Sequence, residues 1–145
     1  MSDFLQTVRE RVVIYDGAMG TNIQYRNLGP DDFWGKEGCN EILVLSRPDI
    51  IREIHASFLS VGCDVVETDT FGATRVVLGE YDLADKVAEI NRAAARLARE
   101  VAAQFSTKEK PDLLPVRLGR PPSCHRSDTS ASTTWSRSTR SRLRP

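Results

Sequence analysis

The sequence predicts an α/β chain built on parallel strands, and two runs of residues carry that prediction. Val12-Val13-Ile14-Tyr15 leads into Asp16-Gly17-Ala18-Met19-Gly20-Thr21, and Asp64-Val65-Val66-Glu67-Thr68 leads into Asp69-Thr70-Phe71-Gly72-Ala73-Thr74. Each is a short β-branched stretch that ends in acidic or hydroxyl residues and then a glycine turn. Helical patterns follow both, so the order is strand, helix, strand, helix, as in a βα barrel or an open doubly wound sheet. Pattern alone leaves both open, although no Gly-x-Gly-x-x-Gly follows the first strand, which counts against a dinucleotide-binding sheet.

The first strand is expected near Val12 to Asp16. An acidic residue there, followed by Gly17 and Ala18, puts a carboxylate and bare backbone N–H groups at the mouth of a parallel β structure, where small molecules bind. Such a set suits a ligand carrying both an ammonium and a carboxylate; the plain alternative is a tight turn that needs glycine for backbone reasons. Tyr25 and Trp34 fall in the following loop, where they cover a site or pack its rim.

Ser46 to Gly62 reads as a helix, with Ser46 as N-cap and Asp49 three residues on, Pro48 in the first turn and Gly62 as the stop. Ile50, Ile51, Ile54, Phe58, Leu59 and Val61 fall at helical spacing on one face. His55 lies beside that stripe, the usual position of a structural hydrogen-bonding histidine rather than a ligand. The second strand is expected near Asp64 to Thr68, and Thr74 to Leu78 gives a turn or two of helix. A longer helix, Leu83 to Phe105, has Asp82 as its cap and Leu83, Val87, Ile90, Ala94, Leu97 and Val101 along one face. Arg92, Arg96 and Arg99, with Glu89 and Glu100, make a solvated opposite face rather than a nucleic-acid patch.

At 145 residues the chain fits one domain but not a complete (β/α)₈ barrel, which takes about 250. No apolar stretch reaches the roughly 18 residues of a membrane span, and the N-terminus lacks the basic start of a signal peptide, so a cytoplasmic chain is expected. The odd count of three cysteines, without framework spacing, agrees with a reducing compartment. The zero net charge hides a split. Residues 1–110 carry 13 basic and 18 acidic side chains, whereas 111–145 carry 7 basic, all Arg, and 2 acidic. Ser, Thr, Pro and Arg dominate that second segment, which offers too little apolar surface to offset ordering entropy and is expected to be a disordered tail.

The Asp16–Thr21 and Gly62–Thr74 runs, together with Gly38-Cys39-Asn40-Glu41 and the Leu43 to Val61 segment, closely resemble the start of the homocysteine-binding (homocysteine S-methyltransferase) domain of the cobalamin-dependent methionine synthases. The resemblance runs from about Val12 to about Pro111, and the joint occurrence of these motifs at this spacing makes it specific. It implies the N-terminal portion of a (β/α)₈ TIM barrel over residues 1–110, incomplete, with homocysteine as the small-molecule partner, bound weakly or not at all by this fragment, and neither nucleic acid nor membrane. It implies a pocket in which Asp16 contacts the substrate ammonium and the backbone of Gly17 and Ala18 its carboxylate, with Glu67 and Asp69 lining the same mouth. Many relatives have Asn where Asp69 stands.

In that family a zinc ion activates the homocysteine thiol, whose free pKa is about 8.5, and the thiolate takes a methyl group from methylcobalamin, recharged by methyltetrahydrofolate. The family holds zinc with three cysteines, one on a later strand and an adjacent pair near the end of the barrel. This chain has no Cys-Cys pair, and Cys39 and Cys63 are isolated, so no metal site, no catalytic residue and no bound cofactor is expected here, and the chain is expected to be inactive alone. Two alternatives remain open: a homocysteine S-methyltransferase that uses another methyl donor, and a non-catalytic module whose Arg/Ser tail binds RNA.

Past Lys110 the family continues with a strand and a Gly-Pro-rich turn close to RFVAGS-x-GPTTKLPSLGHI, a pattern lacking from Pro111 to Pro145. Shifting the reading frame by one base restores it: permitted codons for Pro111 to Leu118 yield RFVAGSL, and those for Leu118 to Ser136 yield GPTTKLPSLGHISFDDMV. The expectation is out-of-frame translation of 111–145, with Cys124-His125 and the Arg/Ser run as its by-products rather than metal or RNA ligands.

Overall fold

The computed structural model describes residues 4–106; the expected tail lies outside the described residues. Six helices carry the fold: α1 (Phe4–Glu10), α2 (Met19–Gln24), α3 (Leu43–Ser46), α4 (Pro48–Ser60), α5 (Arg75–Gly79) and α6 (Val87–Phe105), with 3₁₀ turns at Pro30–Phe33 and Asn40–Ile42.

The core forms where α4 and α6 pack on each other and on α3. Ile50, Ile51 and Ile54 from α4 meet Ile90, Ala94 and Leu97 from α6, with Ile42, Leu43 and Leu78 closing the cluster. These are the stripes that the helical periodicity marks, and burying them is what holds two solvent-facing helices together. Arg92, Arg96 and Arg99 stand on the exposed side of α6. Cys63 sits in a small satellite cluster with Val66 and Ala98, against Phe58 and Leu59.

Helix ends differ from the expected ones. Ser46 closes α3 instead of capping α4, and its hydroxyl donates to the Ile42 carbonyl at 3.2 Å. Arg47 takes the cap position, its guanidinium bridging Asp32 and Asp49. Gly62 does terminate α4, in a left-handed conformation (φ +104°) that favours glycine. At the other helix Asp82 adopts φ +58° and pairs with Lys36, so α6 begins only after Lys86. Thr74 caps α5 by accepting the Val77 N–H at 3.3 Å.

The strands depart most from expectation. Among the described residues no extended ladder forms; the two β-branched runs meet in a single parallel bridge, Tyr15 to Val65. The Asp16 N–H donates to the Val65 carbonyl at 2.9 Å, and the Ile14 carbonyl accepts from Asp64 and Val65 at 2.7 and 3.2 Å. The direction and register are those of adjacent parallel strands. The length is not: among the described residues no further strand flanks the pair, which a parallel pair needs to be buried and cooperative, and Val12 and Ile14 remain 82% and 57% exposed. The Arg11 guanidinium secures the pair from its open end, donating to both Asp64 oxygens at 2.8 and 3.0 Å, while Asp64 also accepts the Ile14 N–H.

Candidate functional site

One cleft of about 510 Å³ opens beside the bridge, and all five residues named from the sequence line it: Asp16, Gly17, Ala18, Glu67 and Asp69. The bridge explains why. Asp16 ends one run and Glu67 the other, and the parallel register brings the Glu67 N–H onto the Asp16 carboxylate, 3.1 Å from each oxygen. Burial pushes the Asp16 carboxyl up to about 6, against the Glu67 N–H bond that favours its ionised form. Gly17 gives close packing at this mouth, since a Cβ there would stand 3.2 Å from the Phe58 ring. Ala18 precedes α2 in an extended conformation.

Asp69 lies deeper. It is 6% exposed, and its Oδ2 atom has no hydrogen-bond partner among the described residues. Burial first, and the charge of Glu41 second, raise its carboxyl to about 7. Thr68 and Thr70 bond hydroxyl to hydroxyl at 2.7 Å and hold the backbone on either side of it.

Sequence reasoning gave no role to Asn40, Glu41, Thr68 and Phe71, which line the same cleft. Glu41 belongs to the 3₁₀ turn, is buried, and accepts the Gly72 N–H at 2.6 Å; its other oxygen lies 3.9 Å from the Cys39 thiol. The signal available beforehand was the Asn40-Glu41 pair in the resemblance, read only as a family mark. Cys39, in the loop before the second 3₁₀ turn, is fully buried in the core, and burial raises its thiol to about 11. Trp34 turns away from the cleft and stacks under the Lys86 ammonium, 5.9 Å from the ring centre. Tyr25 is 83% exposed.

His55 is fully buried and, contrary to its expected hydrogen-bonding role, neither ring nitrogen has a partner among the described residues. Burial lowers its pKa to about 4, so the ring is neutral at ordinary pH.

Four carboxyl side chains line the cleft, and no basic side chain does. Such a wall attracts a cationic group and repels an anionic one, so a carboxylate entering it is left with backbone N–H donors. The residues do not fit a zinc ion: among the described residues no three His, Cys, Asp or Glu side chains are grouped to hold one, and the two described cysteines are free and lie in separate clusters. No described helix is long and apolar enough to cross a membrane.

Comparison with known proteins follows the same lines. The sequence model of the homocysteine S-methyltransferase family matches residues 13–134, past the compositional boundary at Lys110. Methionine synthase of Mycobacterium leprae is 45% identical over 108 residues, 74% of this chain and 9% of that protein. Methionine synthase of Mycobacterium tuberculosis is 42% identical over 109 residues, 75% of this chain and 9% of that one. The chain thus spans about a tenth of the length of these relatives. Among solved structures, the oxidized form of the homocysteine methyltransferase MmuM from Escherichia coli superposes with a TM-score of 0.68 at 22% identity, over 87% of this chain and 44% of that one. Its metallated form gives 0.61 at 20% identity, over 85% and 43%.

Proposed function

The chain belongs to the homocysteine S-methyltransferase family, and we propose that its described residues carry the amino-acid-binding part of a methionine synthase's homocysteine pocket. One observation carries this reading: Asp16, Gly17, Ala18, Glu67 and Asp69, drawn from two distant runs, line one cleft whose wall is acidic. Asp16 takes the substrate ammonium, the Gly17 and Ala18 backbone orients its carboxylate, and Glu67 and Asp69 shape the mouth.

In the full-length family a bound zinc ion would lower the pKa of the homocysteine thiol so that it reacts as a thiolate, and cobalamin and folate would supply the methyl group. Among the described residues no three-thiolate set is present, so no activation step is assigned to them. Residues 1–110 are the N-terminal portion of a (β/α)₈ barrel, a reading supported by the parallel bridge and by the likeness to part of the MmuM fold. Buried free thiols at Cys39 and Cys63 support a reducing, cytoplasmic setting. Residues 111–145 are out-of-frame translation; resequencing across the Lys110 codon tests that, and an intact genomic frame without a missing base would remove it.

The pocket is tested by titrating the chain with L-homocysteine and with 4-mercaptobutyrate, which lacks the ammonium, and following amide resonances by NMR. Homocysteine should shift Gly17, Ala18 and Glu67 while the desamino compound should not. Asp16→Asn should weaken binding about tenfold to a hundredfold, the worth of a charge-assisted hydrogen bond of roughly 1.5–3 kcal/mol. Equal response to the two compounds, or an unchanged affinity in the variant, would refute the role of Asp16.

A further inference from the structure

Glu41 is a buried carboxylate that the resemblance marks but to which the pocket assignment gives no role. It sits in the Asn40–Ile42 turn, yet its bond reaches the Gly72 N–H, 31 residues away, at 2.6 Å in a buried setting. Gly72 has no space for a side chain, because a Cβ there would run into the Glu41 carboxylate, with Val77 Cγ1 close behind at 3.2 Å. The segment so fastened, Thr68 to Thr74, carries three lining residues of the cleft: Thr68, Asp69 and Phe71. Phe71 itself is 62% exposed and has little packing of its own to fix it.

We propose that Glu41 is the positioning residue of the cleft: through the Gly72 N–H it fixes the Thr68–Thr74 wall, and so sets where Asp69 and Phe71 stand against an amino-acid ligand. A buried acceptor for a buried backbone donor is the arrangement whose loss exposes the donor and frees the segment. The other anchors hold the segment at its ends. Glu67 is tied to Asp16 before it, Thr74 accepts from Val77 and Leu78 at its far end, and Asn91 donates to the Ala73 carbonyl at 2.8 Å. The Thr68–Thr70 hydroxyl pair is internal, and the Glu41 bond is the tie to the Gly72 N–H itself. The charge of Glu41 is the lesser cause, after burial, of the raised Asp69 carboxyl, and the tie to Gly72 does not depend on it.

The inference rests on the pocket reading for its ligand, but not for the tie itself, so the experiment reads both. Amide hydrogen exchange at Gly72 is measured by NMR in the full 145-residue chain, followed by titration with L-homocysteine. Glu41→Ala should speed Gly72 exchange by about tenfold or more, with α4 and α6 protection kept, and weaken homocysteine binding about tenfold. Glu41→Gln, which keeps the acceptor and loses the charge, should restore both to within about threefold of the original chain. Should Glu41→Ala unfold throughout, Gly72→Ala breaks the same tie from the other side and must release the segment locally. Unchanged Gly72 exchange in Glu41→Ala or Gly72→Ala would overturn the proposal. Loss of binding in Glu41→Gln with Gly72 still protected would overturn it too, because Glu41 would then act on the ligand by its charge. Absence of homocysteine binding in the unmodified chain refutes the pocket reading, while Gly72 exchange still decides the tie.

Discussion

Replacing Asp69 by asparagine should make the chain more stable, and increasingly so as pH rises. The Asp69 carboxyl moves from an ordinary 3.8 to about 7 on folding, chiefly through burial and next through the charge of Glu41. A carboxyl raised in this way contributes stability that is complete below the unfolded value and is lost as pH rises through the folded one. Between these limits the unfolded chain releases a proton that the native chain retains, at about 1.4 kcal/mol per pH unit. The ceiling is on the order of 4 kcal/mol, and from about pH 5 to about pH 7.5 the loss is about 2–3 kcal/mol. Asparagine keeps the shape, offers a donor and an acceptor, and does not titrate. Asp16 and His55 titrate in both proteins, so their contributions largely cancel in the difference. The assay is urea denaturation at the two pH values. The gap in midpoint between Asp69→Asn and the original chain should widen by about 1–2 M at the higher pH, given slopes of about 1–3 kcal/mol per M. A gap independent of pH would show that Asp69 is already ionised in the fold and that its burial carries no such cost.

Other outcomes follow from single features. His55→Leu should not destabilise the chain, and near pH 5 should stabilise it by about 1 kcal/mol, since it removes two unsatisfied buried nitrogens; thermal melts decide, and a lower midpoint would mean that the ring has partners in solution. His55 has a depressed folded pKa, so its contribution is present above about 6.5 and lost as pH falls through about 4. Gly62→Ala should cost about 1–3 kcal/mol because φ is +104° at the end of α4, and an unaltered denaturation midpoint would contradict that geometry. Val12, 82% exposed beside the open edge of the bridge, should drive self-association; sedimentation velocity should show Val12→Lys as less associated, and equal behaviour would place the contact elsewhere.

What the sequence made legible was local. The cores of α4 and α6 were readable because Ile50, Ile54, Ile90 and Leu97 repeat at helical spacing, and α5 as the turn or two expected over Thr74 to Leu78. The ends of α4 and α6 were not, since Ser46 was taken up by the short helix before it and Asp82 by a left-handed turn. Strand length escaped for a different reason: how far Val12–Tyr15 extends depends on neighbours that the run itself cannot encode. The cleft residues Asp16 and Glu67 were readable because each ends a β-branched run. Glu41 was not, because its partner, the N–H of Gly72, leaves no mark in the identity of either residue beyond a glycine.

The bridge between the two runs also sets an order of events. Asp16 and Glu67 are 51 residues apart, and closing a loop of that size costs on the order of 3 kcal/mol in chain entropy before the contact gives anything back. The backbone hydrogen bonds of α4 are local and can form while the mouth is still unmade. During synthesis the first run must leave the ribosome and wait, unpaired, until the second arrives. The acidic mouth thus cannot assemble before residue 67 is made, and the buried face of α4 waits longer still, for α6.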